Sequence, residues 1–148
     1  MSHEMRMTMP IDNAWLIEGK VIYSRVFGDV NMTDLKAGDE VLNQLLKNRT
    51  ETYVHCIVDC SDLTSVPRLG AGGRSGLTSL ERLGWVALYG IENRALLFVG
   101  TMFAQLFRLR WRFYRSSDEA LNFLQRLSDD LPDLRQVLTD YQAQHPTK

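Results

Sequence analysis

The segment Tyr53-Val54-His55-Cys56-Ile57-Val58-Asp59 constrains this chain more than any other. It is rich in β-branched residues and apolar at consecutive positions, so it reads as a strand over 53–59 buried on both faces. Such a strand belongs in the middle of a sheet with parallel neighbours. With 148 residues, the chain should bury roughly 68–70% of its unfolded surface, enough for one core. Hydrophobic residues make up 45% and charged residues 24%, which excludes overall disorder, a collagen-like chain and a disulfide-dense mini-protein.

The flanking segments fill in the layers. Residues 15–27 read as two short strands about Gly19-Lys20, a hairpin break. In the second, Val21, Tyr23, Arg25 and Phe27 share one face while Ile22, Ser24 and Val26 share the other. Residues 33–47 read as a helix, with Leu35, Leu42, Leu45 and Leu46 at helical spacing and Asn31 or Thr33 as cap. Residues 61–76 form a loop. Residues 77–88 fit a helix, while 85–89 fit a strand, and periodicity does not separate the two. A strand is expected over 94–99, then a short helix from Thr101 to about Leu109, then a strand over 112–114. Ser116 and Glu119 have capping-box spacing and open a helix with Ala120, Phe123, Leu124 and Leu127 on one stripe. A last helix over 132–143 carries Leu134, Val137, Leu138 and Tyr141. That stripe suits its own domain or a second copy of the chain; packing on its own domain is expected, because a stripe finds the nearest core.

The pattern is strand, strand, helix, strand, helix, strand, helix, strand, helix, helix. It predicts an α/β sandwich: a mixed, mostly parallel sheet of about five strands with covering helices. Residues 1–14 are expected to be a flexible tail and 15–148 one domain. The tail holds four of the six methionines and no apolar core of signal-peptide length. The longest charge-free run, 95–107, is too short to span a bilayer, and a cytoplasmic address follows by default. Cys56 and Cys60 lie roughly 13 Å apart along one strand, beyond the reach of a disulfide, so buried free thiols are expected.

Three pieces in this order resemble the SpoIIAA-like, STAS-related domain family. IVDCSDLTSV is similar to the family's central strand with its terminal Asp. NRALLFVG is similar to a later strand ending in Val-Gly. WRFYRSSDEALNFL is similar to the closing strand and the helix after it. With the hairpin, the likeness spans about residues 15–128. It implies an α/β sandwich that works by binding. In the sporulation branch a serine after the central strand is phosphorylated. Laid on that pattern, Arg68 stands in the serine's place and Pro67 in that of the preceding Asp, so the switch residue does not carry over; Ser65 and Ser75 lie nearby. SEC14-type lipid carriers are distant relatives in fold, which implies an apolar ligand as the alternative.

The one glycine-rich loop, 70–76, precedes a helix candidate, and Arg68 and Arg74 flank it. Backbone N–H groups there suit an anion. GxGxxG fails because Ser75 takes the third glycine's place, and no P-loop lysine follows, so no nucleotide cofactor is expected. Arg108, Arg110, Arg112 and Arg115 interleave with aromatics, which suits single-stranded nucleic acid. The same alternation marks an ordinary charged edge strand, the preferred reading. Asp59, Asp62 and His55 cluster near one strand end, where capping explains both aspartates. His3 and His145 lie in the tails, which leaves no histidine metal site and no hydrolase triad.

The expectation is therefore a non-enzymatic domain binding a protein partner or small anionic ligand, without metal or cofactor. Its candidate residues are Ser65, Arg68, Gly72, Gly73, Arg74 and Ser75, and less firmly Arg110 and Arg112. The alternative is a carrier of an apolar molecule, its pocket lined by 77–107. The net charge of −1 hides a basic middle: residues 63–117 hold eight arginines against two acidic groups. Arginine suits fixed pairing with carboxylate or phosphate.

Overall fold

A computed structural model describes residues 10–47, 49, 53–67, 77–106 and 110–146. The strands are β1 (Ile11–Ile17), β2 (Val21–Val26), β3 (Gly28–Asp29), β4 (Val54–Asp59), β5 (Leu63–Ser65), β6 (Leu83–Tyr89) and β7 (Arg110–Tyr114). The helices are α1 (Met32–Leu46), α2 (Arg94–Leu106), α3 (Ser117–Gln125) and α4 (Leu134–Gln144), with a 3-10 turn over Ser79–Arg82. The main sheet runs β1-β2-β4-β6-β7. Only the β1–β2 hairpin is antiparallel; every other pairing in this sheet is parallel.

The strand over 53–59 does sit at the centre. Its alternation divides the core. Ile57 joins Val21, Tyr23, Ala87 and Tyr89 under α3 and α4. Cys56, Val58 and Cys60 join Ile22 and Val86 on the other face, under Leu42 and Leu46 of α1. The last helix spends its stripe on its own domain, with Leu134 and Leu138 buried beneath it.

Local chemistry sets the helix starts. Asn31 accepts from the Asp34 N–H while Asp34 accepts from the Asn31 N–H, a reciprocal cap. Ser116 caps α3 through the Glu119 N–H.

Four expectations change. Residues 94–99 are not a strand: they form the first half of α2, continuous through Gly100 and Thr101. Asn93 accepts from the Leu96 N–H and starts that helix. The fourth strand of the sheet is instead Leu83–Tyr89, seated between β4 and β7. NRALLFVG therefore carried the family likeness on the wrong element. Residues 11–14 belong to β1 and not to a tail.

Candidate functional site

The register lays straight rows of side chains across the sheet. One row is Asn13, Ser24, Val58, Leu88 and Phe113. The next on the same face is Trp15, Ile22, Cys56, Val86 and Trp111. The first row, with Cys56, Val86 and Trp111 of the second, floors a cavity of about 190 Å³. Leu35, Gly38, Asp39 and Leu42 of α1 wall one side and Leu96 and Gly100 of α2 another. Leu63, Leu77, Leu80 and Ile91 line it as well.

The space exists because the helices differ in how closely they pack. Among the described residues, α1 lies against β1 and α3 against β6, whereas α2 makes no comparably close approach to any strand. Gly38 permits the close seat of α1, since a Cβ there would lie 3.0 Å from Ile11 Cγ2. Gly100 admits Phe113, whose ring would meet a Cβ at 3.2 Å. On the outer side of α2, Phe98 is 67% and Met102 52% exposed.

The few polar groups lining the cavity are nearly all engaged. Asp39 is 6% exposed and accepts four hydrogen bonds: from Asn43 Nδ2 at 3.1 Å, the Thr78 N–H at 3.1 Å, the Ser79 N–H at 2.9 Å and Ser79 Oγ at 2.5 Å. It thereby ties the 3-10 turn to α1. Cys56 and Cys60 are free thiols, and burial pushes both up to about 12. They stay protonated near neutrality and lack thiolate reactivity. Asn13 Oδ1 and the Ser24 hydroxyl have no hydrogen-bond partner among the described residues, and Asn13 Oδ1 is closed off from the cavity as well as from solvent.

The aspartates at the strand ends have local partners. Asp59 accepts from the Ser61 N–H and from the Tyr23 hydroxyl. Asp62 pairs with Arg25. Burial, then the charge of Asp59, raises the Tyr89 phenol; burial also raises that of Tyr23. His55 Nδ1 accepts from the Trp85 N–H at 2.9 Å, and burial, then Arg110, holds its ring below the usual imidazole range. No group of three or more His, Cys, Asp or Glu among the described residues has the arrangement of a metal site.

The three predicted site residues that lie among the described ones, Ser65, Arg110 and Arg112, do not converge. Ser65 lies on β5 and donates to Asp29, whose carboxyl is held low by Thr64 and by that bond. Arg110 opens β7 at the other end of the parallel strands, stacked on Tyr53 with its guanidinium 4.6 Å from the ring. Arg112 stacks over Trp85 and Phe123 at 5.5 and 5.3 Å. Arg68, Gly72, Gly73, Arg74 and Ser75 lie outside the described residues. Two of the polar cavity residues left a readable signal. Ser24 interrupts the inward row of Ile22 and Val26. Asp39 sits four residues after Leu35 and three before Leu42, inside the apolar stripe of α1.

No protein-family model matches the chain, and no curated protein sequence does. Solved structures do. An uncharacterised protein of the DUF3478 family with a SpoIIAA-like fold, from Shewanella loihica PV-4, aligns with 77% of this chain and 91% of its own, at a TM-score of 0.57 and 15% identity. The anti-sigma factor antagonist SpoIIAA in its unphosphorylated form aligns with 82% of this chain and 99% of its own, at 0.52 and 13%. At these identities the likeness is one of fold. The strand order, the parallel pairings and the two helical layers together give this chain the SpoIIAA-like fold.

Proposed function

We propose that this protein is a non-catalytic binding domain that holds a small apolar molecule between the sheet and helices α1 and α2. The observation that supports this reading is the 190 Å³ cavity with its nearly unbroken apolar wall. A dry apolar cavity of about 150 Å³ already takes benzene. This one suits a one- or two-ring aromatic or an acyl segment of roughly six to eight carbons, scaled from that case. The non-catalytic reading is drawn from the described residues lining the cavity: Asp39 has every oxygen engaged and both thiols stay protonated. Buried free thiols also accord with a reducing, cytoplasmic address.

Benzene titrated into the methyl-labelled full chain tests this by NMR. Saturable shifts of the Leu88 and Leu96 methyls are expected, lost in Val58→Phe, which places an aromatic ring in the middle of the cavity floor. Absence of saturable shifts in the wild-type chain overturns the reading. Native mass spectrometry of freshly purified protein reads a co-purified ligand directly, as added mass.

A second reading puts a protein partner or anionic ligand on the segment after β5, with Ser65, Arg68, Gly72, Gly73, Arg74 and Ser75. Its support is the arginine excess over 63–117 and the role of SpoIIAA as an anti-sigma factor antagonist. Arg68→Glu with Arg74→Glu should then abolish complex formation and leave benzene binding intact.

A further inference from the structure

The two edges of the main sheet are guarded differently. β7 forms one edge, with Arg110 and Arg112 exposed along it. Charges placed so keep another strand from adding to a sheet. β1 forms the other edge, and its seven residues carry one charge, Asp12. No residue of β1 is buried, whereas the first four of β2 are. The hairpin fixes where the free backbone groups of β1 point. The Phe27 N–H donates to the Pro10 carbonyl, so Pro10 and Phe27 are a bonded pair. Bonded pairs alternate along an antiparallel hairpin, which makes Asp12–Arg25 and Ala14–Tyr23 the next two. Ile11, Asn13 and Trp15 therefore turn their N–H and C=O groups away from β2, and none of these groups has a partner among the described residues. Such a row is a template for a further strand. Helix α1 flanks it. Gly38 faces Ile11, while Asp39 and Asn43 face the 3-10 turn. At about 100° per residue, Val41 lies on the other side of Gly38 from these two, toward the open edge, and it is 44% exposed.

We propose that the β1 edge is a dimer interface, at which two copies of this chain pair β1 with β1 antiparallel about a twofold axis at Asn13 and join their sheets into one. In that register Ile11 stands opposite the partner's Trp15, and Asn13 opposite the partner's Asn13. Each outward-facing residue meets another, so every free backbone group of the three is bonded. A shift of two residues in either direction matches only two of the three. Ile11 and Trp15 make an apolar–aromatic pair across the strands, a stabilising combination. Asp12, the single charge of the strand, faces the partner's Ala14 and not a second carboxylate. The two α1 helices come side by side, with Val41 of each turned toward the other copy. A second copy is the occupant because the edge complements itself: a twofold pairing closes, whereas β1 against β7 of the next copy would run on into a filament and meet Arg110 and Arg112. The interface does not depend on what the cavity holds.

Sedimentation equilibrium of the full chain, in a concentration series reaching about 1 mM, tests this. A reversible monomer–dimer equilibrium with a micromolar dissociation constant is expected of so short an interface. A chain that stays monomeric throughout overturns the proposal. Amide exchange read by NMR locates the contact without any substitution. Exchange at Ile11, Asn13 and Trp15 should slow about tenfold or more between dilute and concentrated samples, with β7 unchanged. A dimer that leaves those three amides unprotected overturns the β1 assignment. In a mixture of labelled and unlabelled copies, contacts between the Cα protons of Asp12 and the partner's Ala14 are expected; contacts of another pairing overturn the register. Ile11→Pro removes an outward N–H and no bond within the hairpin, at a strand start where proline is tolerated. It should weaken association roughly tenfold. Undiminished association of the folded variant overturns the backbone ladder, and exchange in the wild type decides the matter if the variant does not fold.

Discussion

Replacing Asp39 by alanine should remove about 3–5 kcal/mol of stability. The carboxylate accepts from two backbone N–H groups, one hydroxyl and one amide. Asn43 keeps a bond to Thr78 Oγ1 after truncation. Ser79 has no such recourse: it is fully buried, and both its N–H and its hydroxyl would lose their acceptor. Two buried orphans at about 1–3 kcal/mol each, with smaller losses at Thr78 and Asn43, give the total. A domain of this size has about 5–15 kcal/mol in all, so the variant should fold but weakly. With a urea slope near 2 kcal/mol/M, the midpoint should drop by about 1.5–2.5 M. A shift under about 0.5 M at unchanged slope would refute the assignment of Asp39 as the tie between α1 and the 3-10 turn. The cycle with Ser79→Ala checks the partner: coupling of at least about 1 kcal/mol is expected, and additivity contradicts it.

Three further outcomes are expected from the packing. Gly84→Ala puts a Cβ 2.6 Å from His55 Nδ1, so the ring must leave the Trp85 N–H; urea denaturation should show a loss of about 2 kcal/mol, where a pure gain in chain stiffness would stabilise. In the native chain at pH 8 neither Cys56 nor Cys60 should react with a disulfide reagent within minutes, whereas both should in denaturant; rapid native labelling contradicts their burial. His55 is held neutral by the fold, so the unfolded chain binds the extra proton; stability is full above about pH 6.5 and declines as pH falls below it. Urea midpoints at pH 7.5 and 5.0 should differ by more in the wild type than in His55→Gln; equal differences refute the role.

Much of the architecture was legible because it is local. The strand over 53–59 announces its central place by being apolar at consecutive positions. Asn31 and Ser116 mark helix starts by satisfying N–H groups a few residues away. The stripe of the last helix needs only the nearest core. Residues 83–89 and 94–99 show where local reading stops. Both are short apolar runs, and periodicity cannot say which takes the sheet position beside β4. Tertiary packing settles it: Val86 faces one core layer while Ala87 and Tyr89 face the other, a two-sided burial that a sheet provides. Asn93 then caps the other run as a helix, a signal that reading the run as a strand passed over.

By itself the sequence determined the α/β class, the central strand, the helix caps and the buried thiols, because each depends on neighbours within a few residues or on alternation along one strand. The cavity and the row of residues from Asn13 to Phe113 across its floor were decided only by tertiary structure. A cavity is the distance left between two packed layers. Here it depends on how closely Gly38 lets α1 approach β1 and on how far α2 stands from the sheet. The row is a register match across five strands, and Asn13 ties it to α1 by donating to the Gly38 carbonyl, 25 residues along the chain.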